Sequence, residues 1–188
     1  VLLNNYQKTE DQNSAQTYLE KAGINLSTLP ELTITTTASA ADIAEFVQAQ
    51  WNKLGINTKV EILPAGMHRE GVSQGTVQLF RKNWIADYPD AQNFLNLFYS
   101  EAKAPNGPNY FRYENAHFDS LYNTALKTTH DSLRIKLYQK MDAFIKEECP
   151  VIPLFNDEVI QLVQKNIKGF SNNPMNILDL RNVQKTTN

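Results

Sequence analysis

Apolar residues fall at helical spacing in SAQTYLEKA (14–22), where Ala15, Tyr18, Leu19 and Ala22 share a face. Ser14 is placed to cap the start of this helix, and Gly23 to stop its end. LTITTT (32–37) is rich in β-branched residues and reads as a strand. ADIAEFVQAQWNKL (41–54) returns to the helical period, with Ile43, Phe46, Val47, Gln50 and Leu54 on one side and Gly55 after them. NTKVEIL (57–63) alternates like a second strand. The order strand, helix, strand predicts a right-handed βαβ crossover. EKAGIN (20–25) and NKLGIN (52–57) repeat one pattern, a helix end followed by glycine and isoleucine, and shared C-cap chemistry accounts for both.

PAGMHREGVSQG (64–75) is a polar connection with room for a short helix. TVQLFRKNWI (76–85) has apolar residues at both parities and reads as a largely buried strand. Asp90 is placed to cap a following helix whose apolar residues are Phe94, Leu95, Leu97 and Phe98, and SEAKAPNGPN (100–109) is a loop. Two further helices are expected, over 116–127 (Phe118, Leu121, Tyr122, Ala125) and 131–147 (Leu133, Leu137, Met141, Phe144). VIPLFNDEVIQLVQK and ILDLRNV are strand-like, with GFSNNP between them. The class is mixed α/β.

Composition narrows the picture without naming a function. Of 188 residues, 41% are hydrophobic and 20% charged, a globular balance, and a net charge of −2 offers no footprint for nucleic acid. No apolar run reaches the roughly 20 residues that span a bilayer. Cys149 is the single cysteine, which excludes an internal disulfide, and its place between two apolar patterns suggests core packing. The chain opens at Val1 inside a polar, helix-like pattern and reads as a segment of a longer protein.

Enzyme chemistry has little support. His68 with Glu70, His117 with Asp119, and His130 make no metal-ligand spacing, and no metal site or cofactor is expected. There is no nucleophile elbow and no glycine-rich phosphate loop.

The densest stretch is FRKNWIADYPDAQNFLNLF (80–98). Asp87 follows the carboxyl end of the expected strand, where open α/β sheets dock ligands. Trp84 and Tyr88 flank it, and Pro89 pushes Tyr88 toward an extended conformation. A carboxylate framed by aromatic rings suits a cationic group, through charge-assisted hydrogen bonding and cation–π attraction. The plainer reading makes Asp87 an Asx turn and the aromatics core. Spacing alone leaves both open.

This stretch resembles the W-x-A-D-Y-x-(D/E)-P-x-x-F-L segment of the oligopeptide-, dipeptide- and nickel-binding proteins of ABC importers. AQTYLEKAGIN, IAEFVQAQWNKLGINTKVE, NAHFDSLYNTAL and RIKLYQKMDAFIKEECPVIPLF resemble further segments of that family, in family order, over roughly 14–156. The resemblance implies a periplasmic-binding-protein-like lobe: a mixed sheet with flanking helices and the βαβ unit. It makes 1–156 a C-terminal ligand-binding lobe and 157–188 a return segment toward an absent N-terminal lobe. It further implies an extracytoplasmic receptor that closes on a peptide and presents it to an ABC permease complex, meeting the membrane only through an anchor outside this chain. No enzyme activity follows from it.

By the same resemblance Asp87 holds the peptide's α-ammonium, Trp84 lines the pocket, and Arg81 meets a peptide carboxylate as in some members, while Tyr88 is placed by its position to wall the pocket with Trp84. Ala91 stands where the family usually has proline, and the short connection 64–75 bears on the pocket wall. The scaffold also carries nickel chelates, sugars and opines, and a recognition module without a transport role is the other alternative. The apolar residues of the return segment, Val159, Ile160, Leu162 and Val163, are expected to fold back on this lobe or pack on a neighbouring chain.

Overall fold

Two helices end in the same way, and the sheet lies between their ends in sequence and after the second. In this computed structural model, which describes residues 12–155, 160–172 and 177–186, α1 (Gln12–Lys21) closes with Ile24 N–H bonded to Leu19 O at 3.1 Å and Gly23 at φ +65°. Helix α2 (Ala41–Lys53) repeats this with Ile56 N–H to Trp51 O at 3.0 Å and Gly55 at φ +81°. Both are Schellman ends, which only a residue tolerant of the left-handed region makes without strain. The repeated hexapeptides are therefore one cap used twice. Ser14 is not a cap, because α1 already runs through it from Gln12.

The residues divide into two compact units, the first made of 12–83 with 100–114. Its sheet has the order β2-β1-β3. β1 (Leu32–Thr36) pairs in parallel with β2 (Thr58–Ile62) from Leu32↔Thr58 to Thr36↔Ile62, with α2 as the crossover between them. Ile34, Thr35 and Thr36 are buried, as are Ala40 and Ala44 at the start of α2. Small residues allow helix and sheet to approach closely there. Phe46, assigned to the buried face, is exposed instead.

The polar connection is a full helix, α3 (Ala65–Gln74), ended by Gly75 at φ +74°. The expected strand over 76–85 shrinks to β3 (Leu79–Phe80), parallel to β1 through Ile34↔Leu79 and Thr35↔Phe80. Side-chain packing replaces the ladder beyond that point. Phe80 stacks on Phe111 with ring centroids 6.0 Å apart, and the Lys82 ammonium lies 3.5 Å from the centre of the Tyr110 ring. Of the apolar residues at both parities, Phe80 packs on a loop ring and Ile85 is exposed, so the stretch is not a doubly covered strand.

The second unit comprises 84–99, 115–155, 160–172 and 177–186. Its helices are the single turn α4 (Gln92–Leu95), continued by a 3-10 turn over Asn96–Phe98, then α5 (Ala116–Lys127) and α6 (Asp131–Glu148). The Asn115 side chain caps α5, accepting from His117 N and Phe118 N at 2.9 and 3.1 Å. Phe98 and Phe118 are completely buried and meet edge to face at 6.2 Å. Each such side chain contributes about 1.5–3 kcal/mol by leaving water.

The buried stripe of α6 is Tyr138, Met141 and Ile145, rotated from the expected one, with Leu133 exposed and Phe144 meeting His117 edge-on at 5.4 Å. Cys149 is not core. It ends α6 in the left-handed region at φ +49°, which turns the side chain to solvent.

The strand-like tail is mostly irregular. Among its described residues, β4 (Ile167–Lys168) and β5 (Gln184–Lys185) pair, antiparallel and in a sheet of their own. Residues 160–166 and 177–183 adopt no strand conformation, because apolar and β-branched content alone does not make a strand. Ile160 and Leu162 do not fold back onto the unit, being 85% and 96% exposed. Val159 lies outside the described residues. The class remains mixed α/β, with the parallel and antiparallel pairings in separate sheets.

Candidate functional site

Between Trp84 and Asp90 the chain has no regular structure, and its shape is set by two side chains from the following turn. Asn93, only 5% exposed, is the first. Its Oδ1 accepts from the Trp84 indole Nε1–H at 2.7 Å and from the Asp87 backbone N–H at 3.2 Å. Its Nδ2 donates to Asp87 Oδ2 at 3.2 Å. One buried amide therefore holds the ring, the backbone and one carboxylate oxygen, and the two donors on one side dictate which way it faces. Asp87 Oδ1 makes no hydrogen bond among the described residues, and Asp87 itself is exposed.

Gln92 is the second. The exposed Tyr88 hydroxyl donates to Gln92 Oε1, Gln92 Nε2 donates to the Tyr122 hydroxyl oxygen, and Tyr122 donates to Asn96 Oδ1 at 3.0 Å. The Tyr122 ring stacks on Tyr99 at 4.6 Å. Burial pushes the Tyr122 phenol up to about 12, outweighing the Gln92 donor, which favours the phenolate.

The plainer reading had an Asx turn at Asp87. The Asx turn belongs to Asp90, whose Oδ1 accepts from Gln92 N–H at 2.8 Å. Asp90 thus opens the turn by its Asx bond and is not the N-cap of α4, which is Ala91, and it also reaches α6. Its Oδ2 lies 3.6 Å from Arg134 Nη2. The Tyr138 phenol is likewise pushed up to about 12, by burial first and then by its hydrogen bond to, and the charge of, Asp90.

Trp84, Asp87 and Tyr88 are thus brought together in one unit, with the ring and carboxylate on one shared partner. Arg81 is not among them. It lies in the other unit, one residue past β3, half-buried and without a hydrogen bond or ion pair among the described residues. Among the described residues no group of three or more His, Cys, Asp or Glu could hold a metal ion. Asn93 and Gln92 were missed by sequence reasoning. Their signal was faint: two polar residues opening the apolar run QNFLNLF, one of them destined for burial.

An anchored carboxylate with one oxygen unengaged, beside an indole, is chemically a seat for a compact cation.

Residues 2–106 match the family model for bacterial extracellular solute-binding proteins, family 5, middle region. A probable D,D-dipeptide-binding periplasmic protein of Escherichia coli is 32% identical over 133 residues, 71% of this chain and 26% of that protein. Among solved structures, a periplasmic murein tripeptide-binding protein in an unliganded open form superposes with a TM-score of 0.80 at 23% identity, over 93% of this chain and 34% of that one. An ABC transporter-associated periplasmic binding protein of Helicobacter pylori, in complex with the peptide STSA, gives 0.71 at 27% identity, over 80% of this chain and 30% of that one. The chain spans between a quarter and about a third of the length of these proteins.

Proposed function

The chain belongs to the bacterial extracellular solute-binding proteins, family 5, and from that premise we propose that it is the peptide-holding part of an importer's receptor, with Asp87 as partner of the peptide's α-ammonium. The observation that carries this is the Asn93-anchored Asp87 carboxylate, exposed and with Oδ1 unengaged beside Trp84. A peptide ammonium donates to an oxygen in that position, and the charge assistance makes this contact stronger than a neutral hydrogen bond. The indole and the Tyr88 ring add apolar walls that accept many side chains. Peptide-binding relatives support the cargo class.

In this reading the chain is a C-terminal lobe, residues 157–188 return to an N-terminal lobe, and the receptor works outside the cytoplasm with an ABC permease. Arg81 is retained as the partner of a peptide carboxylate in the whole receptor. Binding shifts an open–closed equilibrium only by the difference in affinity between the two forms, so contacts from both lobes are needed.

The test is calorimetry on the full-length protein with a short peptide and its N-acetylated counterpart. The parent should prefer the free amine at least tenfold, and Asp87→Asn should abolish the preference. Equal preference in parent and variant removes Asp87 from this role.

A further inference from the structure

Asn93 stands out once the residues proposed to touch ligand are set aside. It is buried, polar and on an otherwise apolar turn, with Leu95, Leu97 and Phe98 buried around it in sequence. A buried amide is retained only where its hydrogen bonds are made, and all three here go to the candidate site and none to the surrounding core. The turn that carries it is fixed by Asp90, through Gln92 N–H and the Asn93 N–H to Asp90 O bond at 3.1 Å.

We infer that Asn93 is the positioning residue of this site: it sets the plane of the Trp84 indole and the rotamer of the Asp87 carboxylate together. The inference rests on the ammonium reading for its ligand, but not for its geometry. Without Asn93, Trp84 and the Asp87 backbone each lose an acceptor and the carboxylate is released to rotate. With it, Oδ2 is engaged and Oδ1 is the oxygen offered to a donor. Specificity for a charged amino terminus therefore depends on a residue that does not touch it.

A first measurement needs no substitution. The chain has two tryptophans, and the Trp51 indole makes no hydrogen bond among the described residues, whereas that of Trp84 is bonded to Asn93. Hydrogen exchange followed by NMR should show the Trp84 indole N–H protected at least tenfold over that of Trp51. Equal exchange overturns the inference.

The second measurement uses Asn93→Leu, which keeps the branched heavy-atom skeleton and removes both polar atoms, with the smaller Asn93→Ala beside it to control for size. In the full-length protein either variant should lower affinity for a free-amine peptide about tenfold while leaving the N-acetylated peptide within twofold. In the 188-residue chain with Trp51→Phe, which leaves Trp84 as its one tryptophan, it should also raise acrylamide quenching at least twofold. A merely structural role weakens both peptides alike and overturns the inference, as does parental behaviour in both variants. Asp87→Asn separates the two readings. If it keeps the amine preference, the ammonium reading fails, and the Asn93 inference is decided by quenching and exchange alone.

Discussion

Gly75 and Arg112 compete for one space. A Cβ added to Gly75 would sit 2.5 Å from Arg112 Cζ and 2.8 Å from its Nε. The guanidinium is there because it closes the end of α3, donating to Val72 O at 3.3 Å and Ser73 O at 2.6 Å, with a third bond to Tyr110 O at 3.1 Å. A cation on the carbonyls at a helix C-terminus adds donors to their remaining acceptor capacity and complements the macrodipole. Arg112→Ala should cost about 2 kcal/mol, the scale of hydrogen bonds from a charged donor. Gly75→Ala should cost that amount by displacing the guanidinium, plus about 1–2 kcal/mol for a left-handed alanine. In the Arg112→Ala background only the second part should remain. Urea unfolding of the four proteins tests this, and additive effects would show that the two residues are not coupled.

Asp90 carries two kinds of contact that substitution can separate. Asn in its place keeps an acceptor for Gln92 N–H but removes the charge facing Arg134, while Ala removes both. Asp90→Asn should therefore cost less than about 1 kcal/mol, since the Arg134 pair is partly exposed. Asp90→Ala should cost about 1–2 kcal/mol, with faster amide exchange concentrated in 84–99. Equal losses for the two variants would assign the role to the ion pair rather than the turn.

Legibility followed the range of the forces involved. Helices α2, α5 and α6 and the strands β1 and β2 were evident, because periodicity and capping glycines act within a few residues. The rotated face of α6 was not, because which stripe is buried depends on α4 and α5, as with exposed Leu133 against buried Tyr138. Strand 76–85 was overread, since an apolar side chain that meets a loop ring, as Phe80 meets Phe111, looks the same in sequence as one inside a sheet. At the site, Trp84, Asp87 and Tyr88 were legible by chemistry. Asn93 and Gln92 were not, because their function is a geometry that no residue type announces.

Alkaline pH should expose the two buried phenols. Tyr122 and Tyr138 have folded pKa values of about 12 against an ordinary value of 10, raised chiefly by burial. The folded state therefore favours the protonated form more than the unfolded state does. Stability from this source is complete below pH 10 and is lost as pH rises from 10 toward 12. Urea midpoints measured from pH 8 to pH 12 should fall more steeply for the parent than for Tyr122→Phe/Tyr138→Phe. Parallel curves would assign the alkaline loss to other groups.

Exposed apolar residues in the tail distinguish this chain from the longer protein proposed to contain it. Ile160 is 85% exposed and Leu162 96%, with Ile177 and Leu178 at 63% and 66%. Side chains so exposed contribute almost nothing to the stability of the 188-residue chain. Ile160→Ser/Leu162→Ser should leave the thermal midpoint of this chain unchanged and lower its binding of a hydrophobic dye. In the full-length protein the same pair should be covered by the returning contact with the other lobe. There the substitutions should destabilise by about 2 kcal/mol for each buried aliphatic side chain. If the chain is one of two lobes, as proposed, peptide affinity should be weak or undetectable on the isolated chain and restored in the full-length protein. Micromolar or tighter binding by the 188-residue chain, or no destabilisation of the full-length protein, would contradict the two-lobe reading.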